Sequence, residues 1–344
     1  MVAIKLGLIE RRALNTVIVD STVQSKAVAH PTDSRLLEVA RQKLAEAAKG
    51  SGILLKQTYG KEGKELARMA GRYAHAKQYR RMHKTIKRQR TILGRLARDI
   101  ERSKTVLAQS LQAALNPLLA RAQKISEQSR RRKTLKGKDK IYSWHAPEVE
   151  CMSKGKARMP YEFGVKVGLV TTLKGNLIVG ARSFPGNPYD GHTLAEQLEQ
   201  SSILVQATGV KPETVYTDLG YRGVDGEIPD YALKHRGKYK RLSKKERQLL
   251  KKRSAIEPII GHLKSDHSMN RCHLKGETGN AIHAVLSAVG FNIKWLLRMI
   301  ARQGIRSSFL PYFLAWLQQQ IQSLARRGGL PHQNSGSQIV GNLT

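Results

Sequence analysis

The chain has 344 residues and carries 61 Lys and Arg against 26 Asp and Glu, a formal charge of +35 with a pI near 10.5. That length allows two or three domains, or one domain with a large insertion, and the surplus of positive charge points to nucleic acid as partner ahead of a structural role or an anionic membrane surface. Only Cys151 and Cys272 are present, which excludes a disulfide framework and a cysteine-rich zinc module and fits a reducing compartment.

The opening "MVAIKLGLIERRALN" lacks the apolar core of about 7 to 15 residues that a secretory signal needs. Lys294 and Arg298 interrupt the most apolar later stretch, "AVLSAVGFNIKWLLRMI", so the sequence predicts a cytoplasmic chain without a membrane span. The first clear element is "LNTVIVDSTV", whose β-branched run reads as a buried strand ending at Asp20. From Asp33 the period changes: "DSRLLEVARQKLAEAAK" opens with Asp or Ser as cap and sets Leu36, Val39, Ala40 and Leu44 on one helical face. Helical patterning continues to about residue 128. Two stretches of this block exceed what a solvated helix face needs. "YRRMHKTIKRQRTILGR" has seven Lys or Arg and no acid, and "RRRKTLKGKDK" has seven against one, so a phosphate-binding face including Arg80, Arg81, Lys87 and Arg88 competes with a merely soluble surface or linker.

After residue 160 the period returns to two, and "YEFGVKVGLVTTLKGNLIVGARSF" predicts an antiparallel hairpin turning at Lys-Gly-Asn. "PGNPYDG" then leads to a helix at "HTLAEQLEQ", where Thr193 and Glu196 have capping-box spacing. "KPETVYTD" is a further short strand. "YALKHRGKYKRLSKKERQLLKKR" gives 11 basic residues and one acid with no clear strand signal, fit to lie along phosphates. "FLPYFLAWLQQQIQSLARR" predicts a last helix, and the polar "GGLPHQNSGSQIVGNLT" a loose tail.

Three carboxylates stand out by position: Asp20 and Asp218 at strand ends, and Glu257 opening "EPIIGHLKSDH". Adjacent parallel strands would bring both aspartates to one sheet edge, the usual place for sites in open α/β folds. Oxygen donors so placed suit Mg²⁺ or Mn²⁺ and two-metal phosphoryl chemistry; taken singly, each acid is more readily a cap or a turn residue than a ligand. Arg253, Glu257 and Lys264 follow R-x3-E-x6-K, spacing that aligns them on one helix face, with Gly261 between them and Pro258 liable to leave Arg253 outside the helix. An ordinary i,i+4 ion pair has the same spacing. The spacing of His30, Asp33, His262, His267, Cys272 and His273 matches no standard structural zinc site.

The blocks "VIVDSTVQSKAVAHPTDSRLLEVA", "NPYDGHTLAEQLEQ", "VYTDLGYRG" and "RSAIEPIIGHLKSDHSMNRCHLKG", in this order over residues 10 to 301, resemble bacterial insertion-sequence transposases of the IS5 family, with the DDE domain shared by IS4-like enzymes. The resemblance implies an α/β, RNase H-like mixed sheet with a large, mostly α-helical insertion after the first catalytic strand. It divides the chain into a first strand region at 10–32, a basic helical insertion at 33–140, the rest of the catalytic domain at 141–301, and a helical extension with a flexible tail at 302–344. It implies Asp20, Asp218 and Glu257 as catalytic and metal-holding residues with two Mg²⁺ ions, Mn²⁺ able to substitute. Arg253, Lys264, Tyr221 and Arg222 would meet DNA, with Thr22 beside the first metal and Asp190 and His192 capping the intervening helix. The reaction implied is hydrolysis at transposon ends followed by 3′-OH strand transfer into double-stranded target DNA, by a homodimer, in the cytoplasm at the nucleoid. The alternatives are an endonuclease that does not join and an inactive DNA-binding fragment. Leu250 stands where the family signature Y-x2-R-x3-E-x6-K has tyrosine, and the 19 residues before Asp20 suggest a frame shortened at its N-terminus.

Overall fold

The computed structural model describes residues 2–131, 134, 139–153, 160–302, 315–316, 318–319 and 322. Most of "RRRKTLKGKDK", most of the last predicted helix and the whole polar tail lie outside the described residues. The chain forms two units, 1–293 and 294–344. The first holds all of the sheet; the second holds the end of the last long helix and helical positions at 315–316, 318–319 and 322.

A short helix α1 (Val2–Lys5) and a 3-10 turn at Arg11–Asn15 lead into β1 (Thr16–Ser25). Val17, Ile18 and Val19 are all buried, because helices cover both faces of this strand and a continuous apolar run is then favoured over alternation. The strand does not stop at Asp20. It runs five residues further because β3 (Tyr161–Thr172) pairs with it antiparallel along almost its whole length, from Val17 opposite Thr172 to Ser25 opposite Gly164.

Four helices follow β1: α2 (Asp33–Gly50), α3 (Gly60–His75), α4 (Tyr79–Ser103) and α5 (Gln109–Arg130). Thr32, not Asp33 or Ser34, caps α2, its hydroxyl accepting from the Arg35 N–H at 3.3 Å. The four pack around Leu37, Leu44, Leu93, Leu96, Ile100, Leu115 and Ile125, each at most 1% exposed and each contributing about 1.5–3 kcal/mol by burial.

The chain then returns to the sheet through β2 (Glu150–Ser153), β3 and β4 (Ile178–Phe184). The predicted hairpin is present, with Gly175 and Asn176 both at positive φ in its turn, a conformation these two residue types tolerate best. Next come α6 (Leu194–Val205), β5 (Thr214–Tyr216), β6 (Ala232–Lys234), α7 (Lys244–Lys251), α8 (Ile256–Asp266) and α9 (Gly276–Arg302). The strand order is β2-β3-β1-β5-β6, with β4 also on β3; β5 and β6 run parallel to β1. One face packs Ile18, Val167, Leu169 and Tyr216 on α8 and the first part of α9, and the other packs Val17, Val19 and Val215 on α6. β6 was not expected: its three residues sit inside a basic stretch and are strand only because β5 offers them a parallel partner.

The capping box at Thr193 is absent. A 3-10 turn at Gly191–Thr193 runs straight into α6, the Thr193 hydroxyl donates to the Asp190 carbonyl at 2.7 Å, and Glu196 pairs with Arg182. A capping box does form at α7, between Ser243 and Glu246. Among the described residues α9 is long and apolar enough, by length and composition, to cross a membrane; 22% of that window is buried, and Ala284 and Ala288 enter the core.

The far end of β1 is fastened by charge. Lys26, its side chain 4% exposed, meets Glu148 at 2.8 Å and donates to the Asn280 side chain of α9 at 2.7 Å. Burial opposes the Glu148 carboxylate, yet Lys26 and the Gly276 N–H hold it below the usual range. Removing one partner leaves a buried charge alone, so Lys26→Met should lose about 3–5 kcal/mol in urea unfolding, and adding Glu148→Gln should recover part of it. Equal losses for the single and double variants would show that the pair is not the origin of the cost.

Candidate active site

The pairing of β1 with β5 fixes the centre of the site. Thr16 is level with Thr214, Val17 with Val215 and Ile18 with Tyr216, so the same parallel register carried two residues on sets Asp218 level with Asp20. Alternation then turns both side chains to the sheet face of Ile18 and Tyr216. Asp20 stays within its strand because β3 continues beside it, whereas Asp218 has left β5 and accepts from the Gly220 N–H at 2.8 Å, shaping the turn "DLGY".

Asp20 is enclosed, its side chain 16% exposed. One carboxylate oxygen accepts from the Ser21 N–H at 2.7 Å, and the other meets Arg253 at 3.3 Å. Burial raises its pKa to about 6, helped by repulsion from Asp218 and Asp190 and resisted by the Ser21 N–H and Arg253. Arg253 also reaches Glu257 at 3.5 Å. One guanidinium therefore stands between the sheet aspartate and the helix glutamate. The expected i,i+4 pair is real, although Arg253 lies in a 3-10 segment, Lys252–Ala255, ahead of α8. Glu257, 63% exposed, faces solvent from the first turn of α8.

Other predicted residues fall differently. Lys264 is not a free DNA contact, because it ties α8 to β3 through Glu162 at 3.4 Å. Tyr221 is 0% exposed, a core side chain whose phenol is raised well above its ordinary pKa by burial and by the nearby carboxylates of Asp190, Asp20 and Asp218; it cannot touch DNA from there. Arg222, next in sequence, is exposed. Thr22 is buried two residues beyond Asp20 on the same face of β1. His192 is exposed and stacks edge-on with Tyr189. Leu250 packs among Tyr216, Ile256 and Ile259. Gly261 opens onto empty space. Arg80 and Lys87 are exposed on α4, while Arg88 is committed to Glu62 at 2.6 Å and Arg81 bonds Gln78 at 3.1 Å.

Asp190 is not a helix cap. Its carboxylate is drawn instead to the Ser21 hydroxyl at 2.8 Å and the Lys166 ammonium at 2.9 Å, linking β1 and β3 to the start of α6. Gly220 lies between two acids: a Cβ there would sit 3.0 Å from an Asp218 oxygen and 3.1 Å from an Asp190 oxygen. Strand alternation was the one signal available for the Lys166 and Ser21 roles, and it does not name a partner 169 residues away. A cavity of about 530 Å³ opens beside Arg253, lined also by Arg236, Tyr239, Arg247, Leu250, Lys251 and Ser254. Four cations and no acid line it.

Asp20 and Asp218 suit a hard divalent cation: both are oxygen donors, they share a face, and their mutual repulsion is met by one arginine. Among the described residues no group of three or more His, Cys, Asp or Glu is arranged to hold a metal. Glu257, tied to Arg253, stands apart from the aspartates.

A carboxyl raised in the fold from 3.8 to about 6 binds more protons folded than unfolded between those values. Its contribution to stability is therefore complete below pH 3.8 and lost as pH rises through about 6. Asp20→Asn keeps the acceptor for Ser21 and removes the titration, so in metal-free buffer the variant should gain about 2–3 kcal/mol on the parent between pH 4 and pH 7. A pH-independent difference in unfolding free energy would mean that Asp20 is not strained.

A protein of Rhizobium meliloti described as uncharacterized protein ORF8 in nfe locus is 49% identical over 77 residues, which are 22% of this chain and 37% of that protein. This chain thus spans little more than a third of that relative's length. No solved structure matches. Residues 130–293, running from the end of α5 through Ile293 of α9 and containing Asp218, Arg253 and Glu257, match the family described as the transposase DDE domain, and this match supports a DDE transposase.

Proposed function

We propose that the chain is a DNA transposase of the IS5 insertion-sequence type, which hydrolyses a phosphodiester at each transposon end and joins the freed 3′-OH to target DNA. The observation that carries this reading is the parallel pairing of β1 with β5 up to Ile18 and Tyr216, beyond which Asp218 comes near enough to Asp20 to repel its carboxylate. The antiparallel run of β1, β3 and β4, with β5 and β6 parallel to β1 and the short β2 added beside β3, supports an RNase H-like catalytic domain, with 33–140 as a helical insertion between 10–32 and 141–301.

Asp20 and Asp218 would hold a divalent ion, Mg²⁺ or Mn²⁺, with Glu257 as the third catalytic carboxylate of the set; two such ions would supply charge neutralisation for an in-line displacement. Arg253 orients two of the three acids and forms part of the basic cavity, where a phosphate of the bound strand is held against Arg236, Arg247 and Lys251. Lys166 and Asp190 steady the strand that carries Asp20. No side chain becomes covalently attached: the nucleophile is water in the first step and the DNA 3′-OH in the second. Double-stranded DNA is both substrate and target, a homodimer brings two ends together, and the protein acts in the cytoplasm at the nucleoid.

The test is Mg²⁺-dependent joining of a labelled, precut terminal-repeat duplex to plasmid, with Asp20→Ala, Asp218→Ala and Glu257→Ala in parallel. Each substitution should abolish joined product while duplex binding persists, since the basic surface is untouched. Nicking without joining would identify an endonuclease instead, and wild-type joining in any of the three variants would remove that residue from the catalytic set. Arg253→Lys keeps the charge but loses the two-pronged fork, and joining should fall about 10²-fold or more if geometry is what Arg253 provides.

A further inference from the structure

The helical block distributes its charge unevenly. The acids of α3 and α4 are all paired locally: Glu62 with Arg88, Glu65 with Arg68, Asp99 with Arg102 and Glu101 with Lys104. None pairs with Arg80, Lys84, Lys87, Arg95 or Arg98, which are exposed and take part in no ion pair among the described residues.

These five fall on one line. At about 100° per residue, positions 80, 84, 87, 91, 95 and 98 stay within a strip about 80° wide, and the sixth member, Thr91, is also exposed. From 80 to 98 the strip is about 27 Å long at 1.5 Å per residue, the axial length of about eight base pairs of B-DNA. The opposite face of α4, with Ile86, Leu93, Leu96 and Ile100, is packed into the bundle, so the strip is held outward. A solvated helix face has no need of this arrangement: like charges three and four residues apart repel by about 0.2–0.5 kcal/mol per pair, and the acids that would relieve them are used on neighbouring faces.

We propose that α4 is a track for the phosphate backbone of duplex DNA, contacted by Arg80, Lys84, Lys87, Arg95 and Arg98 over about eight base pairs. The proposal deepens the DNA reading above and rests on it for the identity of the polyanion. The contacts are to phosphate and independent of base sequence, since the strip has no Asn, Gln or aromatic side chain to read or stack on bases. Arg88 and Arg81 are outside the track, one held by Glu62 and the other by Gln78.

The experiment is fluorescence anisotropy of the full chain on two labelled 20-base-pair duplexes of unrelated sequence, about 50 to 200 mM NaCl, a range in which phosphate contacts strongly weaken binding. Replacing all five track residues by Gln should flatten the plot of log affinity against log salt by about 4.5 on both duplexes, at about 0.9 per contact. The pairs Arg80→Gln with Lys84→Gln, and Arg95→Gln with Arg98→Gln, should each flatten it by about 1.8, which keeps the test alive if the fivefold variant folds poorly. The control replaces the ion-paired Lys43, Arg68, Arg88, Arg102 and Arg131 by Gln, the same change in formal charge. Its slope should change much less. An unchanged slope in the track variants, equal flattening in the control, or a loss confined to binding of anionic phospholipid vesicles would each overturn the proposal. Failure of strand joining by the unaltered chain with track-dependent duplex binding intact would sink the transposase reading alone; normal joining by a fivefold variant with an unchanged slope would sink the track alone.

Discussion

Two like-charged carboxylates, Asp20 enclosed within β1 and Asp218 just past the end of the parallel β5, set the terms for the rest of this structure. Asp20 is enclosed by β3 on one side and by the turn after β5 on the other, and a carboxylate there is disfavoured by desolvation before any neighbour is counted. Asp218 and Asp190 add to that penalty, and the protein answers with a backbone N–H and one guanidinium. A fold chosen for stability alone would have an apolar residue at position 20, since Ile18 and Leu169 already line that face. Strain of this kind, held beside an arginine that lines a basic cavity, is the kind of perturbation that clusters at functional sites.

The helices around the site follow from the same constraint. Arg253 can reach Asp20 only because α7, the 3-10 segment and α8 run on without a loop, so that Leu250, Ile256 and Ile259 bury on the sheet while Arg253 and Glu257 turn toward its edge. Lys264, about two turns further along α8, secures that helix to Glu162 of β3. What reads in one dimension as three residues presented to a ligand is in three dimensions one orienting arginine, one exposed acid and one strut. The same holds at Asp190, whose carboxylate is engaged across the sheet rather than at the helix end beside it.

Much of this was legible in the sequence where local chemistry decides the outcome. The β-branched run of β1, the turn at Gly175 and Asn176 and the amphipathic stripe of α2 follow from period and turn residues, whereas the nearness of Asp20 and Asp218 was legible only on the condition that β1 and β5 pair side by side and parallel. The misses have a common physical origin, long-range partners. Asp20 lies inside its strand because β3, about 150 residues later, continues beside it. β6 exists because β5 presents an edge. Tyr221, in a turn that reads as surface, is buried because Leu194, Leu198 and Val224 close over it. Thr193 loses its cap because the 3-10 turn before α6 already satisfies that end. None of these can be read from a window of a dozen residues, because the deciding neighbour is elsewhere in the chain.

Arg253 links the acids to the positive field that surrounds them. Its guanidinium has five N–H donors in a planar fork, and its contacts with Asp20 and Glu257 engage the two terminal nitrogens without exhausting that set. The remaining donors belong to the same residue that lines the cavity with Arg236, Arg247 and Lys251. A phosphate entering there can be bound without first breaking the contact that holds Asp20. A lysine at position 253 would have to draw both carboxylates and the phosphate around a single nitrogen, without the planar fork that spreads arginine's donors over three nitrogens. On the transposase reading this is why an exposed glutamate and a largely enclosed aspartate act in one site: they need not touch each other, because the group between them serves both and still has donors left for the substrate.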